Sequence, residues 1–214
     1  VRHLKGMVER GELGELLYIY SQRVNLGKVR RDENALWSFA PHDLSVILHL
    51  VGAEPVDVVA RGSAFLQPSV EDVVFVDLRF PDGRLAHVHV SWLDPHKLRK
   101  FTVVGTRKMV VFDDMEASEK LRVYDKGVDR VGEVVSYGDA LTVRSGDILI
   151  PRISLQEPLR LECQHFVECV RDHRVPLTDG TSGLQVVRVL AAAQASLEQG
   201  GRPVRLAAAG QEAS

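Results

Sequence analysis

The spacing of apolar positions predicts two helices and a strand in the first fifty residues. Apolar residues recur at helical spacing before Gly11, and residues 16–23 form an aromatic-rich run that is typical of a strand. A second helical pattern, with spacing i, i+3, i+4 and i+7, is made by Leu44, Ile47, Leu48 and Val51. Pro41 suits a first helical turn and Gly52 suits a helix end, so we predict a helix over 41–51.

A long middle region alternates apolar and polar residues with period two, which predicts strands. The runs cover 55–65, 72–80, 84–92, 98–104, 108–113 and 120–124. Pro81–Gly83 has the composition of a tight turn and predicts an antiparallel hairpin, and Gly105–Arg107 predicts the next. Residues 127–150 are less regular, and we interpret 137–151 as a strand-bearing excursion or lid outside the core.

The last part of the chain returns to helical spacing. Two apolar stripes are separated by a turn around 176–183: Leu159, Cys163, Phe166 and Val170, then Val186, Val189, Leu190, Ala193 and Leu197. Early helices, one large sheet and two late helices predict an α+β fold, an open and largely antiparallel β-sheet with helices packed on one face. We find no internal repeat and predict a single domain over 1–214.

Composition excludes several classes of function. The chain is 45% hydrophobic and 26% charged, as in ordinary globular proteins, while its net charge of −2 and 6% aromatic content argue against nucleic-acid binding. No apolar run approaches the roughly 20 residues that span a bilayer, so we expect no membrane partner and a cytoplasmic location. Cys163 and Cys169 lie six residues apart in one predicted helix, and we predict that both are free thiols.

The start of the chain and its glycine pattern bear on cofactor binding. The sequence opens at Val1 on a helical pattern with no strand before it, and we expect it to begin inside a longer protein. Neither a Gly-x-Gly-x-x-Gly turn nor a Gly-x-x-x-x-Gly-Lys-Ser/Thr loop occurs. We therefore predict no cofactor-binding residue in this fragment.

His42 is the first candidate for chemistry. At the predicted start of the helix over 41–51, the helix dipole would disfavour an added positive charge and hold the imidazole neutral, as a general base requires. The alternative is that His42 only caps or packs at a helix end. A second candidate is the basic loop 25–31, which could bind an anionic or polyhydroxyl ligand, or could simply be a solvated loop.

A pair of histidines raises the question of a metal site. His87, His89 and Ser91 share one face of a predicted strand, opposite Val88, Val90 and Trp92. Two histidines at this spacing can chelate zinc, but no third ligand follows at a suitable spacing. We predict no metal site and interpret these residues as a polar face of the sheet, with the zinc site as the weakest alternative.

Four motifs, taken in order, resemble the C-terminal domain of the Gfo/Idh/MocA oxidoreductases, the relatives of glucose-fructose oxidoreductase and inositol dehydrogenase. The motifs are Gly11–Glu15, Asn34–Leu44, Ser91–Arg99 and a run from Glu157 through His165 to Gly180. The resemblance implies a domain that supplies a substrate pocket and a homo-oligomer interface through its sheet. It also implies an NAD(P)-binding Rossmann domain that precedes this region and is absent here, so NAD or NADP would be bound mainly outside this fragment.

Residue by residue, the resemblance makes His42 the active-site histidine that exchanges a proton with a sugar hydroxyl. Many members carry an aspartate four residues earlier, where this chain has Ser38. Serine can hydrogen-bond but cannot hold a compensating negative charge, so either the proton relay differs or the activity is weak. The candidate substrate-binding residues are Asn25, Lys28, Arg30, Asn34, Lys97 and Arg99.

Two functions remain open from the sequence. One is the substrate-binding and oligomerisation half of an NAD(P)-dependent oxidoreductase acting on a sugar, with the motifs around Trp37 and Trp92 most similar to members that use nucleotide-linked sugars. The other is a solitary, non-catalytic domain that binds a sugar or a protein. Ser38 and the missing nucleotide motif favour the second, and His42 favours the first.

Overall fold

The computed structural model describes residues 1–130, 141–153 and 157–206. The described helices are α1 (Arg2–Glu9), α2 (Ala35–Val51), α3 (Pro158–Arg171) and α4 (Gly180–Glu198). The described strands are β1 (Leu16–Val24), β2 (Asp57–Ser63), β3 (Val73–Arg79), β4 (Leu85–Ser91), β5 (Leu98–Gly105), β6 (Met109–Asp113), β7 (Leu121–Arg130), β8 (Leu141–Leu149) and β9 (Val204–Arg205).

These strands form one sheet in the order β8-β7-β6-β5-β1-β4-β3-β2-β9. All neighbouring pairs are antiparallel except β1 and β4, which run parallel. The predicted hairpin at Pro81–Gly83 is confirmed: it joins β3 to β4, and Gly83 has a φ of 87°, which favours glycine. The predicted hairpin between β5 and β6 is confirmed as well.

The core lies between one face of the sheet and the helices α2 and α4. Alternate residues of the central strands point to this face and are buried, among them Ile19, Val88 and Val103. Helix α2 contacts β1, β3 and β4, and α4 contacts β2 and β9. In α4, the Ser196 hydroxyl accepts a hydrogen bond of 2.9 Å from the Ala60 amide of β2. The predicted α+β architecture with helices on one face is therefore confirmed.

Helix α2 begins earlier than the apolar spacing predicts. Asn34 is its N-cap, and the Asn34 side-chain oxygen accepts a hydrogen bond of 3.2 Å from the Trp37 amide. Pro41 lies inside the helix, so the predicted start at 41 is wrong. The side chains of Ala35, Leu36 and Ala40 are all fully buried, and this burial stabilises the first turns although Pro41 cannot donate a helical hydrogen bond.

The region after residue 120 is partly as expected. Strand β7 is longer than the predicted run 120–124, and it pairs with β8 at the edge of the sheet. The described side chains of β8 are mostly exposed, so this segment carries a strand and lies outside the core, as predicted for 137–151. Residues 137–140 lie outside the described residues.

Helix α3 differs from the other long helices because its apolar stripe is uncovered. Leu159, Phe166 and Val170 are more than 60% exposed, and Cys169 is the one buried residue of the helix. Cys163 is exposed, and both cysteines are free thiols, as predicted. In the described part of the chain, no helix is long and apolar enough to cross a membrane.

Candidate functional site

A cavity of about 190 Å³ opens where the end of β1, the start of β5 and the middle of α2 meet. Its lining residues come from all three elements and the loops beside them: Arg23, Val24, Asn25, Ser38, Phe39, His42, Lys97, Leu98 and Arg99. Both residues predicted to be catalytic lie here. A larger depression of about 470 Å³ between β6, β7 and β8 contains none of the predicted site residues, so we place the candidate site at the smaller cavity.

Helix α2 presents Ser38 and His42 to the cavity together. The two residues are four positions apart, which puts them one above the other on a single helix face. No hydrogen bond joins the Ser38 hydroxyl to the His42 imidazole among the residues that the structure describes, and no described side chain hydrogen-bonds the His42 ring. The imidazole is therefore free to meet a ligand group in the cavity.

The sheet supplies two arginines to the same cavity. Arg23 follows Ile19 and Ser21 on the helix-covered face of β1, and Arg99 lies directly opposite Arg23 on β5. The Arg23 guanidinium makes a bidentate ion pair with the Asp43 carboxylate, with Nε to Oδ2 at 3.1 Å and Nη2 to Oδ1 at 2.9 Å. The Asp43 side chain is only 1% exposed, so this ion pair ties α2 to β1 beneath the cavity.

Sequence reasoning missed Arg23 and Asp43. Period-two alternation in β1 would have placed Arg23 on the same face as Ile19, and an arginine on a buried face needs an acidic partner. That signal was present in the sequence. The identity of the partner was not, because Arg23 and Asp43 are twenty positions apart and meet only in the fold.

The charge state of His42 has a different cause from the predicted one. The residue lies in the middle of α2, well past the first turn, so the prediction that the helix dipole holds it neutral is wrong. Instead, partial burial lowers the pKa of His42 from its ordinary 6.5, the Arg23 charge lowers it further, and Arg99 adds a smaller decrease against the opposing effect of Asp43. The imidazole is still favoured in its neutral form at pH 7.

The other predicted substrate-binding residues divide into two groups. Asn25, Lys97 and Arg99 line the cavity. Lys28, Arg30 and Asn34 do not line it.

Two residues of the second group have partners within the protein. Arg30 forms ion pairs with Asp32 and Glu33, at 3.1 and 2.8 Å. Asn34, besides capping α2, donates hydrogen bonds from its amide nitrogen to Glu71 at 2.7 Å and to Gln194 at 3.0 Å. Asn34 therefore stabilises the packing of α2 on α4, and loop 25–31 contributes only Asn25 to the cavity.

The two strand histidines lie on β4, beside β1, but on the opposite, open face of the sheet from this cavity. His87 and His89 point to the face that carries no helix, as predicted. The His87 Nδ1 atom lies 2.7 Å from the Asp77 carboxylate, and the His89 ring stacks on Phe75 with centroids 4.4 Å apart. The described residues contain no group of three or more His, Cys, Asp or Glu side chains that could hold a metal ion.

The described residues also do not fit a dinucleotide cofactor. In dinucleotide-binding folds, a glycine-rich turn follows the first strand and opens a helix, whose free amides hold the pyrophosphate. Here the loop from β1 to α2 contains a single glycine, Gly27, and not a glycine-rich turn, and the Asn34 side chain already accepts the hydrogen bond of the Trp37 amide. We therefore assign no step of any reaction to a dinucleotide bound by this part of the chain.

Comparison with known sequences identifies relatives over most of the chain. It is 25% identical over 177 residues to UDP-N-acetylglucosamine 3-dehydrogenase of Acidithiobacillus ferrooxidans, which covers 82% of this chain and 52% of that protein. It is 24% identical over 199 residues to scyllo-inositol 2-dehydrogenase (NAD(+)) of Bacillus subtilis, which covers 85% of this chain and 53% of that protein. The chain thus spans about half the length of the curated relatives it matches.

Solved structures show the same fold. UDP-N-acetylglucosamine 3-dehydrogenase of A. ferrooxidans superimposes with a TM-score of 0.70 at 21% identity, covering 92% of this chain and 62% of that one. Aldose-aldose oxidoreductase of Caulobacter crescentus superimposes with a TM-score of 0.72 at 21% identity, covering 95% and 59%. The GFO/IDH/MocA C-terminal domain model matches residues 1–111, just over half of the chain, and the chain therefore belongs to the GFO/IDH/MocA family.

Proposed function

We propose that this chain is the substrate-binding half of an oxidoreductase that oxidises a hydroxyl group of a sugar or a nucleotide-linked sugar. The observation that carries the proposal is the cavity, which gathers Ser38 and His42 from α2 beside Asn25, Lys97 and Arg99 from the sheet. The names of the relatives support the class of reaction and the class of substrate. Residues 1–214 act as one unit in this proposal.

In the proposed reaction, His42 accepts the proton of the substrate hydroxyl while the carbon that bears it loses a hydride. The hydride acceptor would be a nicotinamide dinucleotide, NAD or NADP, held mainly by a region outside these 214 residues. Neutral imidazole suits a general base at pH 7, and the lowered pKa of His42 supports this role. Ser38 donates or accepts a hydrogen bond at the substrate, one helical turn away.

Asn25, Lys97 and Arg99 bind the substrate away from the reacting carbon. Lys97 and Arg99 are cations that suit a phosphate or carboxylate group, and the Asn25 amide suits a hydroxyl. Lys97 has no ion pair within the described residues, and Arg99 forms an exposed ion pair of 3.6 Å with Asp114 that a stronger anion could replace. A nucleotide-linked sugar, whose pyrophosphate is anionic, fits this arrangement.

Ligand binding to the 214-residue chain tests the proposal directly. We expect UDP-N-acetylglucosamine to perturb NMR amide signals of the cavity residues, and Arg99→Gln to weaken its binding by about 10-fold or more, since hydrogen bonds to charged groups contribute about 1.5–3 kcal/mol. Arg171→Gln is the matched control, because Arg171 pairs with Asp172 at the end of α3 and does not line the cavity. Perturbation at another surface, or equal loss in both variants, would reject the cavity as the substrate site.

A second copy of the chain is the proposed partner of the open sheet face. This face carries Tyr18, Tyr20 and Phe75, each about 40% exposed, together with charges of both signs, such as Asp77 and Arg79. A surface with aromatic side chains and balanced charges can pair with itself around a two-fold axis. Light scattering at micromolar concentration should give at least twice the 23.8 kDa of one chain, and a strictly monomeric mass would contradict the proposal.

A non-catalytic, sugar-binding domain is the second candidate function. The observation that favours it is Ser38, which leaves the His42 ring without a carboxylate partner among the described residues. The two functions differ in one measurement. If the chain binds the sugar ligand in the cavity, but the enzyme that joins it to a dinucleotide-binding half turns over no sugar, the non-catalytic function is the correct one.

A further inference from the structure

The buried ion pair between Arg23 and Asp43 costs more desolvation than a purely structural contact would need. Burying two opposite charges costs desolvation, and well-packed apolar side chains of similar size often stabilise a protein at least as well. The Asp43 side chain is 1% exposed and that of Arg23 is 19% exposed. Asp43 nevertheless directly follows His42 in α2, and Arg23 lines the same cavity as His42.

The ion pair leaves Asp43 without a hydrogen bond to the imidazole. Both carboxylate oxygens of Asp43 accept hydrogen bonds from Arg23, at 3.1 Å and 2.9 Å. Asp43 therefore acts on His42 only through its charge, which raises the pKa of His42 by less than the Arg23 charge lowers it. Asp43 also fixes the position of the Arg23 guanidinium.

Two further cations, Lys97 and Arg99, line the same cavity as His42, and Arg99 forms an ion pair of 3.6 Å with Asp114. Arg99 lies opposite Arg23 in the register of β1 and β5, and Lys97 precedes it at the cavity wall. Asp43 is the acidic group that acts on His42 from its own helix, and its effect ranks after that of Arg23. Among the charged residues, Arg23 therefore has the largest effect on the pKa of His42.

We propose that Arg23 is a positioning residue for His42: held by the Asp43 carboxylate, its guanidinium fastens the turn of α2 that carries His42 to β1 and places a fixed positive charge in the wall of the cavity that the imidazole lines. This inference rests on the proposed role of His42 as the base. The charge state of the imidazole can nevertheless be measured in the chain itself, without turnover.

The test is an NMR titration of the histidine side chains in the 214-residue chain, with His42→Gln identifying the His42 signal. The main variant is the double substitution Arg23→Gln with Asp43→Asn, which removes both charges and leaves amides that can still hydrogen-bond. The His42 midpoint should rise relative to the wild type, because the lost Arg23 effect is larger than the lost Asp43 effect. A midpoint that stays unchanged or falls would overturn the proposal.

Two further variants separate charge from packing. Arg23→Lys keeps the positive charge but not the bidentate fork, so the midpoint should stay near that of the wild type. A rise in Arg23→Lys equal to that of the double variant would overturn the charge role. Asp43→Asn alone should lower the midpoint, because the Asp43 charge raises the pKa of His42. If the double variant does not fold, Arg23→Gln alone decides the question, and a midpoint that is unchanged or falls would then overturn the proposal.

Arg171→Gln serves as the control, since its ion pair with Asp172 at the end of α3 lies away from the cavity, and it should leave the His42 midpoint unchanged. The titration tests the role of Arg23 separately from the proposed oxidoreductase function. Loss of that function would appear as absent ligand binding in the cavity or absent turnover. Failure of the proposed role of Arg23 would appear only in the titration of His42.

Discussion

Helices α2 and α3 have similar lengths and both carry apolar residues at helical spacing, yet the fold treats them differently. Nine residues of α2 are buried against the sheet and α4, whereas Cys169 is the one buried residue of α3. Asn34 caps α2 with its side chain, and the N-cap Glu157 of α3 makes no such hydrogen bond. Amphipathic spacing therefore predicts a helix reliably, but it does not tell which helix is packed.

The largest expected contrast is catalytic and compares one histidine from each helix. In an enzyme that joins this chain to a dinucleotide-binding half, His42→Ala should lower kcat by about 10²- to 10⁴-fold, the usual effect of losing a general base. His165→Ala in α3 should leave kcat unchanged, because His165 accepts a hydrogen bond from the Leu177 amide and does not line the cavity. Steady-state kinetics measures both.

A specific kinetic outcome would contradict the catalytic role of His42. If kcat stays within about threefold of the wild type while KM rises, His42 binds substrate but does not transfer its proton. Equal losses in the two variants would point to a general effect on folding, and the contrast between α2 and α3 would then lose its catalytic part.

The next effect concerns stability and uses one substitution at two sites. Leu44→Ala in α2 removes a fully buried side chain and should lower the free energy of unfolding by about 2–5 kcal/mol. Leu159→Ala in α3 removes a side chain that is 61% exposed and should change it by no more than about 0.5 kcal/mol. Urea unfolding followed by circular dichroism measures the two values. A loss above about 2 kcal/mol for Leu159→Ala would show that the α3 stripe is covered in solution.

Removing the N-cap side chain should also destabilise the protein more in α2 than in α3, but by less than the core substitution does. Asn34→Ala removes the acceptor of the Trp37 amide and the donor to Glu71, and should cost about 0.5–2 kcal/mol. Glu157→Ala removes a side chain that makes no capping hydrogen bond and should have an effect below about 0.5 kcal/mol. Equal losses in the same urea assay would show that the cap does not distinguish the two helices.

The smallest effect concerns pH and sharpens the description of α2. Burial and the Arg23 charge lower the pKa of His42, so its neutral, active form persists below the ordinary value of 6.5. Activity should therefore be kept as the pH falls through 6.5 and should decline only below it. The acid limb of kcat/KM against pH measures this directly, and a limb above pH 6.5 would contradict the electrostatic account.

Much of the fold was predictable because its signals are local. The strands β2 to β6 begin and end within two residues of the predicted runs, since side-chain alternation and turn residues act over a few positions. The start of α2 was predicted wrongly, β7 extends beyond its predicted run, and the short strand β9 was not predicted. Pro41 is a good local signal for a first helical turn, but burial of the preceding apolar residues and the Asn34 cap override it.

The candidate site was predictable only in part. His42 was selected from its place in the predicted helix and Ser38 through the resemblance; the two lie together in the cavity, and their catalytic roles are a proposal. Lys28 and Arg30 were selected because they lie in a basic loop near the right part of the chain, but that loop runs past the cavity and pairs with its own acidic residues. Proximity in sequence does not determine which side chains converge.

The sequence by itself determined the element types, the antiparallel hairpins and the family resemblance, because periodicity, turn chemistry and short motifs are properties of neighbouring residues. Only the tertiary structure decided that Arg23 pairs with Asp43, that Arg99 stands opposite Arg23, and that the stripe of α3 stays uncovered. These facts depend on contacts, or on their absence, between surfaces whose residues lie about twenty to eighty positions apart in the chain. The lowered pKa of His42 follows from these tertiary contacts and not from its place in the helix.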